Sequence, residues 1–167
     1  MANDLESVAL RESQGRDEIT SVIFEKGKRY KLLYVEDEEQ LAKMLPRILT
    51  TSGIDFEVEV ATNYTEAMAA LKGEKNPRVV DGNYSGHTNY AAIITDMNFP
   101  GGNGANNGAN VAREARNLGF KGRIVIASGQ HMSLAKEQTK DIANIGYLGK
   151  PFKLNNLMPA LEGRYSD

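Results

Sequence analysis

The sequence predicts an α/β domain, a doubly wound sheet of five parallel strands with helices on both faces. Three observations predict it. Four short runs are apolar or β-branched throughout: Leu32-Leu33-Tyr34-Val35, Ala91-Ala92-Ile93-Ile94-Thr95, Ile124-Val125-Ile126-Ala127 and Tyr147-Leu148-Gly149. That composition suits strands buried on both sides, as in a parallel sheet. Stretches with apolar residues at helical spacing lie between them. Each run also closes on polar groups: Glu36-Asp37, Asp96, Ser128-Gly129 and Lys150-Pro151-Phe152. Ligands of open α/β sheets bind at the carboxyl edge of the strands, so these groups fall where chemistry is done. Asp96 by itself stays open between a chemical role and a cap for the next helix.

Composition narrows the function classes. The chain has 167 residues, a formal net charge of -2 and no Cys. Its length suits one domain with decoration. The near-neutral charge gives no reason to expect nucleic acid, whose phosphates are met by a basic face. Without Cys, disulfide frameworks and thiolate metal sites are excluded. No apolar run approaches a membrane span, and Met1-Ala2-Asn3-Asp4-Leu5-Glu6 lacks the features of a signal peptide. The expectation is a cytoplasmic protein with neither nucleic-acid nor membrane partners.

Residues 1–30 read as an N-terminal extension. A polar surface segment comes first, then Ser21-Val22-Ile23-Phe24 as an added strand, with a solvated basic turn at Lys26, Lys28, Arg29 and Lys31. After Glu36-Asp37, the spacing of Leu41, Met44, Leu45, Ile48 and Leu49 predicts a helix ending at Gly53, kinked or broken by Pro46. Residues 54–61 alternate apolar with acidic side chains, the pattern of an edge strand with one wet face. Asn63-Tyr64-Thr65-Glu66 has the form of a capping box opening a helix through Leu71.

Loop formers fill residues 73–90, an insertion in which His87 reads as a surface side chain. A second insertion, at 101–108, is glycine-rich. It lacks the Lys-Ser/Thr of a phosphate-binding loop and reads as a flexible loop before a helix from Ala109 to Leu118. Another helix is expected from about Ser133 to Ile145, anchored by Leu134, Ile142 and Ile145. Lys150-Pro151 suits a cis peptide. A last helix through Leu154, Leu157, Met158 and Leu161 should be clipped or bent at Pro159.

Acid pair, Asp, Ser and Lys-Pro-Phe, in that order at successive strand ends, resemble the receiver domain of two-component response regulators over roughly residues 31–163. The resemblance implies a flavodoxin-like (CheY-like) fold and phosphorylation of Asp96 by a histidine kinase or phosphotransfer protein. Such a protein is a switch rather than an enzyme acting on other substrates. In the family, phosphorylation draws the hydroxyl residue toward the phosphate and lets an aromatic three residues before the Lys turn inward. Here these are Ser128 and Tyr147. With no effector domain after residue 167, output is expected through an unknown protein docking on the 133–162 face. The side chains flanking the hydrolytic water in receivers correspond to Asn98 and Gln130.

The residue types support that chemistry independently. Phosphoryl transfer to a carboxylate needs a nucleophile, a divalent cation and fixed donors for the remaining oxygens. Asp96 would be the nucleophile. With Glu36, Asp37 and the Asn98 backbone carbonyl it would hold Mg²⁺ (or Mn²⁺) in an oxygen shell. Lys150 would pair with one phosphoryl oxygen and Ser128 would bond another. Three crowded acids should repel and attract a cation. A pseudo-receiver would be expected to lose an acid or the Lys. A haloacid-dehalogenase-type phosphatase wants a second acid where Asn98 stands, and an adaptor built on the insertions is a further alternative.

Overall fold

The computed structural model describes residues 23–73, 90–101, 107–129 and 132–164. Five strands, β1 (Arg29–Val35), β2 (Asp55–Ala61), β3 (Tyr90–Asp96), β4 (Arg123–Ser128) and β5 (Ile145–Gly149), form one parallel sheet in the order β2-β1-β3-β4-β5. Between them run α1 (Glu39–Thr50), α2 (Tyr64–Leu71), α3 (Asn107–Asn117) and α4 (Met132–Thr139), and α5 (Leu154–Glu162) closes the fold. The strand order reverses between β1 and β3, the point where open α/β sheets form a crevice. No described helix is long and apolar enough to cross a membrane.

The central strands are apolar on both faces because both are covered. Leu33, Val35, Ile93, Ile124 and Ile126 meet the small residues of α2, α3 and α4, such as Ala67, Ala70, Ala112 and Ala135. On the other face Leu32, Tyr34, Ile94, Val125 and Leu148 meet Leu45 and Leu49 of α1 and Leu157 and Leu161 of α5. Strand register then delivers the polar residues to one edge. Val35 is opposite Thr95, Asp96 opposite Ala127 and Ser128 opposite Gly149, so the groups at or just after these positions share a level.

Several local expectations change. Ile23 and Phe24 lie in no strand; Phe24 is buried edge-on against Tyr30 and Phe56. Ser21, Val22 and the polar segment before them lie outside the described residues, as do residues 74–89 with His87. Pro46 does not break α1, which is continuous to Thr50 because Leu45 and Leu49 on either side are buried. Continuous too is α5, through Pro159 to a left-handed Gly163. Lys150-Pro151 is cis.

Glu59 is not on a wet face. Its side chain is 1% exposed, accepting from Tyr90 Oη at 2.7 Å and pairing with Lys31 at 3.1 Å. The capping box forms with one change of partner: Asn63 Oδ1 accepts from Glu66 N, while Glu66 reaches back to the amide and hydroxyl of Thr62. Helix α4 stops at Thr139 rather than Ile145, and Leu134 is exposed while Ala135 and Thr139 are buried. Asn107 and Gly108, expected in the glycine loop, instead form the buried first turn of α3.

Candidate functional site

Glu36 and Asp37 follow β1, Asp96 ends β3, Ser128 ends β4 and Lys150 follows β5. The carboxylates of Glu36, Asp37 and Asp96 converge, with one oxygen from each within 4.8 Å of the others. Glu36 is fully buried. Its Oε2 accepts from Lys150 Nζ at 2.5 Å and from the Tyr34 hydroxyl at 3.1 Å, and its Oε1 accepts from the Glu38 amide at 3.2 Å. Lys150 Nζ also lies 3.2 Å from Asp96 Oδ1. The repulsion expected among the acids is therefore answered within the protein, by one ammonium bridging two of them.

Electrostatics follow from this geometry. Burial pushes the Asp96 carboxyl above its ordinary value; the Lys150 charge opposes that rise and Glu36 adds to it. Burial pulls the Lys150 ammonium down, yet the hydrogen bond to Glu36 and the charges of Asp96 and Glu36 outweigh it and hold the group protonated. The Tyr34 hydroxyl, raised by burial and then by the Glu36 charge, stays a donor. Sequence reasoning counted Tyr34 only as an apolar strand residue. Its signal was a hydroxyl in a run buried on both faces, since a buried phenol must find a partner.

Along the loop after Asp96 one further oxygen stands apart. Met97 O accepts from the Gly108 amide at 3.0 Å and Pro100 O from the Tyr64 amide at 3.3 Å. Phe99 O and Gly101 O both accept from Asn107 Nδ2. Among the described residues, the Asn98 carbonyl takes no hydrogen bond from the protein. The three carboxylates form a hard-oxygen donor set that fits Mg²⁺ or Mn²⁺. Asn107 and Gly108 were missed because glycine-rich spacing hides a helix start.

Ser128 is buried at the strand end, and its carbonyl accepts from the Lys150 amide at 2.9 Å. Tyr147, on β5, is partly buried against the face carrying α3 and α4. Its hydroxyl lies 2.6 Å from Thr139 Oγ1, which itself donates to Ala135 O at 2.8 Å. With the Thr139 proton so engaged, Tyr147 is the donor of the pair. Lys136 Nζ stands 5.6 Å from the Tyr147 ring centroid. The Asn98 side chain is exposed, and Gln130 lies outside the described residues. An open groove of about 830 Å³ between α1 and β2 shares only Asp37 with this centre.

Residues 32–162 match the family described as the response regulator receiver domain. A comparison with curated proteins finds no match. Among solved structures, a CheY-like receiver domain from Methylobacillus flagellatus is 19% identical, with a TM-score of 0.58 over 83% of this chain and 100% of its own. The phosphorylated cyanobacterial phytochrome response regulator RcpA is 23% identical, with a TM-score of 0.60 over 82% of this chain and 91% of its own. The Mn²⁺-bound form of response regulator Rcp1 is 23% identical, with a TM-score of 0.55 over 80% and 90%.

Proposed function

Because the chain belongs to the response regulator receiver family, we propose that it is a signalling switch set by phosphorylation of Asp96. The observation that carries this reading is the meeting of Glu36, Asp37, Asp96, Ser128 and Lys150 at one sheet edge, with the three carboxylates converging and the Lys150 ammonium bridging two of them. A carboxylate oxygen of Asp96 attacks phosphorus of a phosphohistidine on a histidine kinase or phosphotransfer protein. The new P–O bond forms as the P–N bond breaks, and the imidazole nitrogen keeps the electron pair and takes a proton from water.

Glu36, Asp37, Asp96 and the Asn98 carbonyl would hold Mg²⁺ or Mn²⁺, which when bound neutralises charge on the phosphoryl oxygens. The metal in Rcp1 and the phosphate on RcpA are in keeping with this. Lys150 supplies the fixed positive charge and Ser128 the hydroxyl donor. Output passes through Ser128 and Tyr147 to the surface of α4, β5 and α5, where a downstream protein docks, and the switch works in the cytoplasm.

The test is labelling of the full chain by acetyl phosphate. An acid-labile, hydroxylamine-sensitive label is expected, dependent on Mg²⁺ and lost in Asp96→Asn while circular dichroism stays that of the parent. Glu36→Gln with Asp37→Asn should abolish both Mg²⁺ binding and labelling. Persistent labelling of Asp96→Asn, or full labelling in excess chelator, would overturn the reading.

A further inference from the structure

Asn107 opens α3 and is 1% exposed. Its side-chain amide has two donor hydrogens and one acceptor oxygen. Nδ2 lies 2.5 Å from Phe99 O and 2.7 Å from Gly101 O, so both hydrogens go to the loop that follows Asp96. Oδ1 has no partner. An unmet buried acceptor is destabilising, so whatever this residue contributes comes through its two donors.

Those donors grip the loop on the far side of Asn98, while the Gly108 amide grips Met97 O on the near side. Held at 97 and 99 by the same helix start, the chain leaves the carbonyl between them without a donor among the described residues. One side chain also ties 101 to 107, the two ends of the glycine-rich stretch.

We propose that Asn107 is a positioning residue for the divalent cation, holding the Phe99 and Gly101 carbonyls so that the Asn98 carbonyl stays presented beside Glu36, Asp37 and Asp96. This rests on reading that edge as a receiver's cation site. Groups that orient metal ligands typically change metal affinity about 10- to 100-fold when removed, because the ligand must then be ordered by the metal itself.

The test is Mn²⁺ binding to the full chain, followed by water proton relaxation with no phosphodonor present, for the parent, Asn107→Ala and Asn107→Ser. Asn107→Ala should weaken Mn²⁺ about tenfold, and Asn107→Ser, keeping one donor, should fall between. Half-saturating Mg²⁺ for acetyl phosphate labelling should rise by the same factor, with the rate at saturating Mg²⁺ within about twofold of the parent, as for loss of uniform binding. A loss of fold alone would lower the saturated rate and leave the affinity of the folded fraction unchanged. If Asn107→Ala does not fold, Asn107→Ser carries the comparison. Unchanged Mn²⁺ affinity in the folded variants, or a parent that binds no Mn²⁺, overturns the proposal. A parent that binds Mn²⁺ but takes no label refutes the phosphorylation reading instead, and the Mn²⁺ affinities still decide the role of Asn107.

Discussion

Lys150 and Glu36 form an ion pair almost closed to water: Nζ lies 2.5 Å from Oε2, and the side chains are 12% and 0% exposed. Breaking such a pair from one side strands a buried charge, which typically costs about 3–5 kcal/mol. Lys150→Met keeps the length of the side chain and removes its charge. Metal-free urea unfolding should show a loss of about 3 kcal/mol. Excess Mg²⁺ should recover part of it, since a bound cation replaces the missing positive charge and stabilises the folded state by mass action. Unaltered stability, or no Mg²⁺ effect, would count against this electrostatic account.

Gly108 touches the backbone behind Asp96. A Cβ built there would overlap the Asp96 carbonyl oxygen and stand 2.8 Å from Met97 Cα. Neither can yield, because both belong to the backbone at the end of a central strand. Gly108→Ala should lower stability by about 1–3 kcal/mol, the usual range for overpacking, and slow labelling of Asp96. Urea unfolding and the labelling rate measure the two effects, and parent-like values for both would remove Gly108 from the site.

The Tyr147 hydroxyl depends on Thr139 for its acceptor. Thr139→Val keeps the shape of a buried side chain and deletes that oxygen. Leaving the phenol unmet should cost about 1–3 kcal/mol if the ring stays, so the ring should swing outward instead. Faster nitration of Tyr147 by tetranitromethane, found by peptide mapping, is the expected sign. Nitration at the parent's rate would show that packing, not the hydroxyl, holds the ring.

The lifetime of the proposed acyl phosphate tests the exposed side chain of Asn98. It has no basic group at neutral pH and can assist water only by orienting it. Asn98→Ala should change the lifetime by about tenfold or less, equivalent to roughly 1.4 kcal/mol of barrier. A change of several orders of magnitude would assign Asn98 more than positioning.

The fold was legible in the sequence because its determinants are local. Leu32–Val35 and Ile124–Ala127 are apolar through and through, which suits strands covered on both faces, and the helices between them carry their own apolar stripes. The converging set was legible for the same reason: Glu36, Asp37, Asp96, Ser128 and Lys150 each stand where an apolar run stops, and a parallel sheet brings those ends together. What only the tertiary structure decided are the partners across that edge and behind it. Lys150 lies between Glu36 and Asp96, Tyr34 donates to Glu36, and Asn107 and Gly108 grip the loop after Asp96. No spacing rule reaches these, since Lys150 and Glu36 are 114 positions apart. Local propensity failed where burial overrode it. Glu59 read as wet but is enclosed by Tyr90 and Lys31, and Pro46 read as a kink or a break but sits in a helix that runs unbroken, with Leu45 and Leu49 buried. In each case the deciding energy came from burial against residues distant in sequence, Tyr90 and Lys31 around Glu59 and the β1 and α5 side chains that cover Leu45 and Leu49.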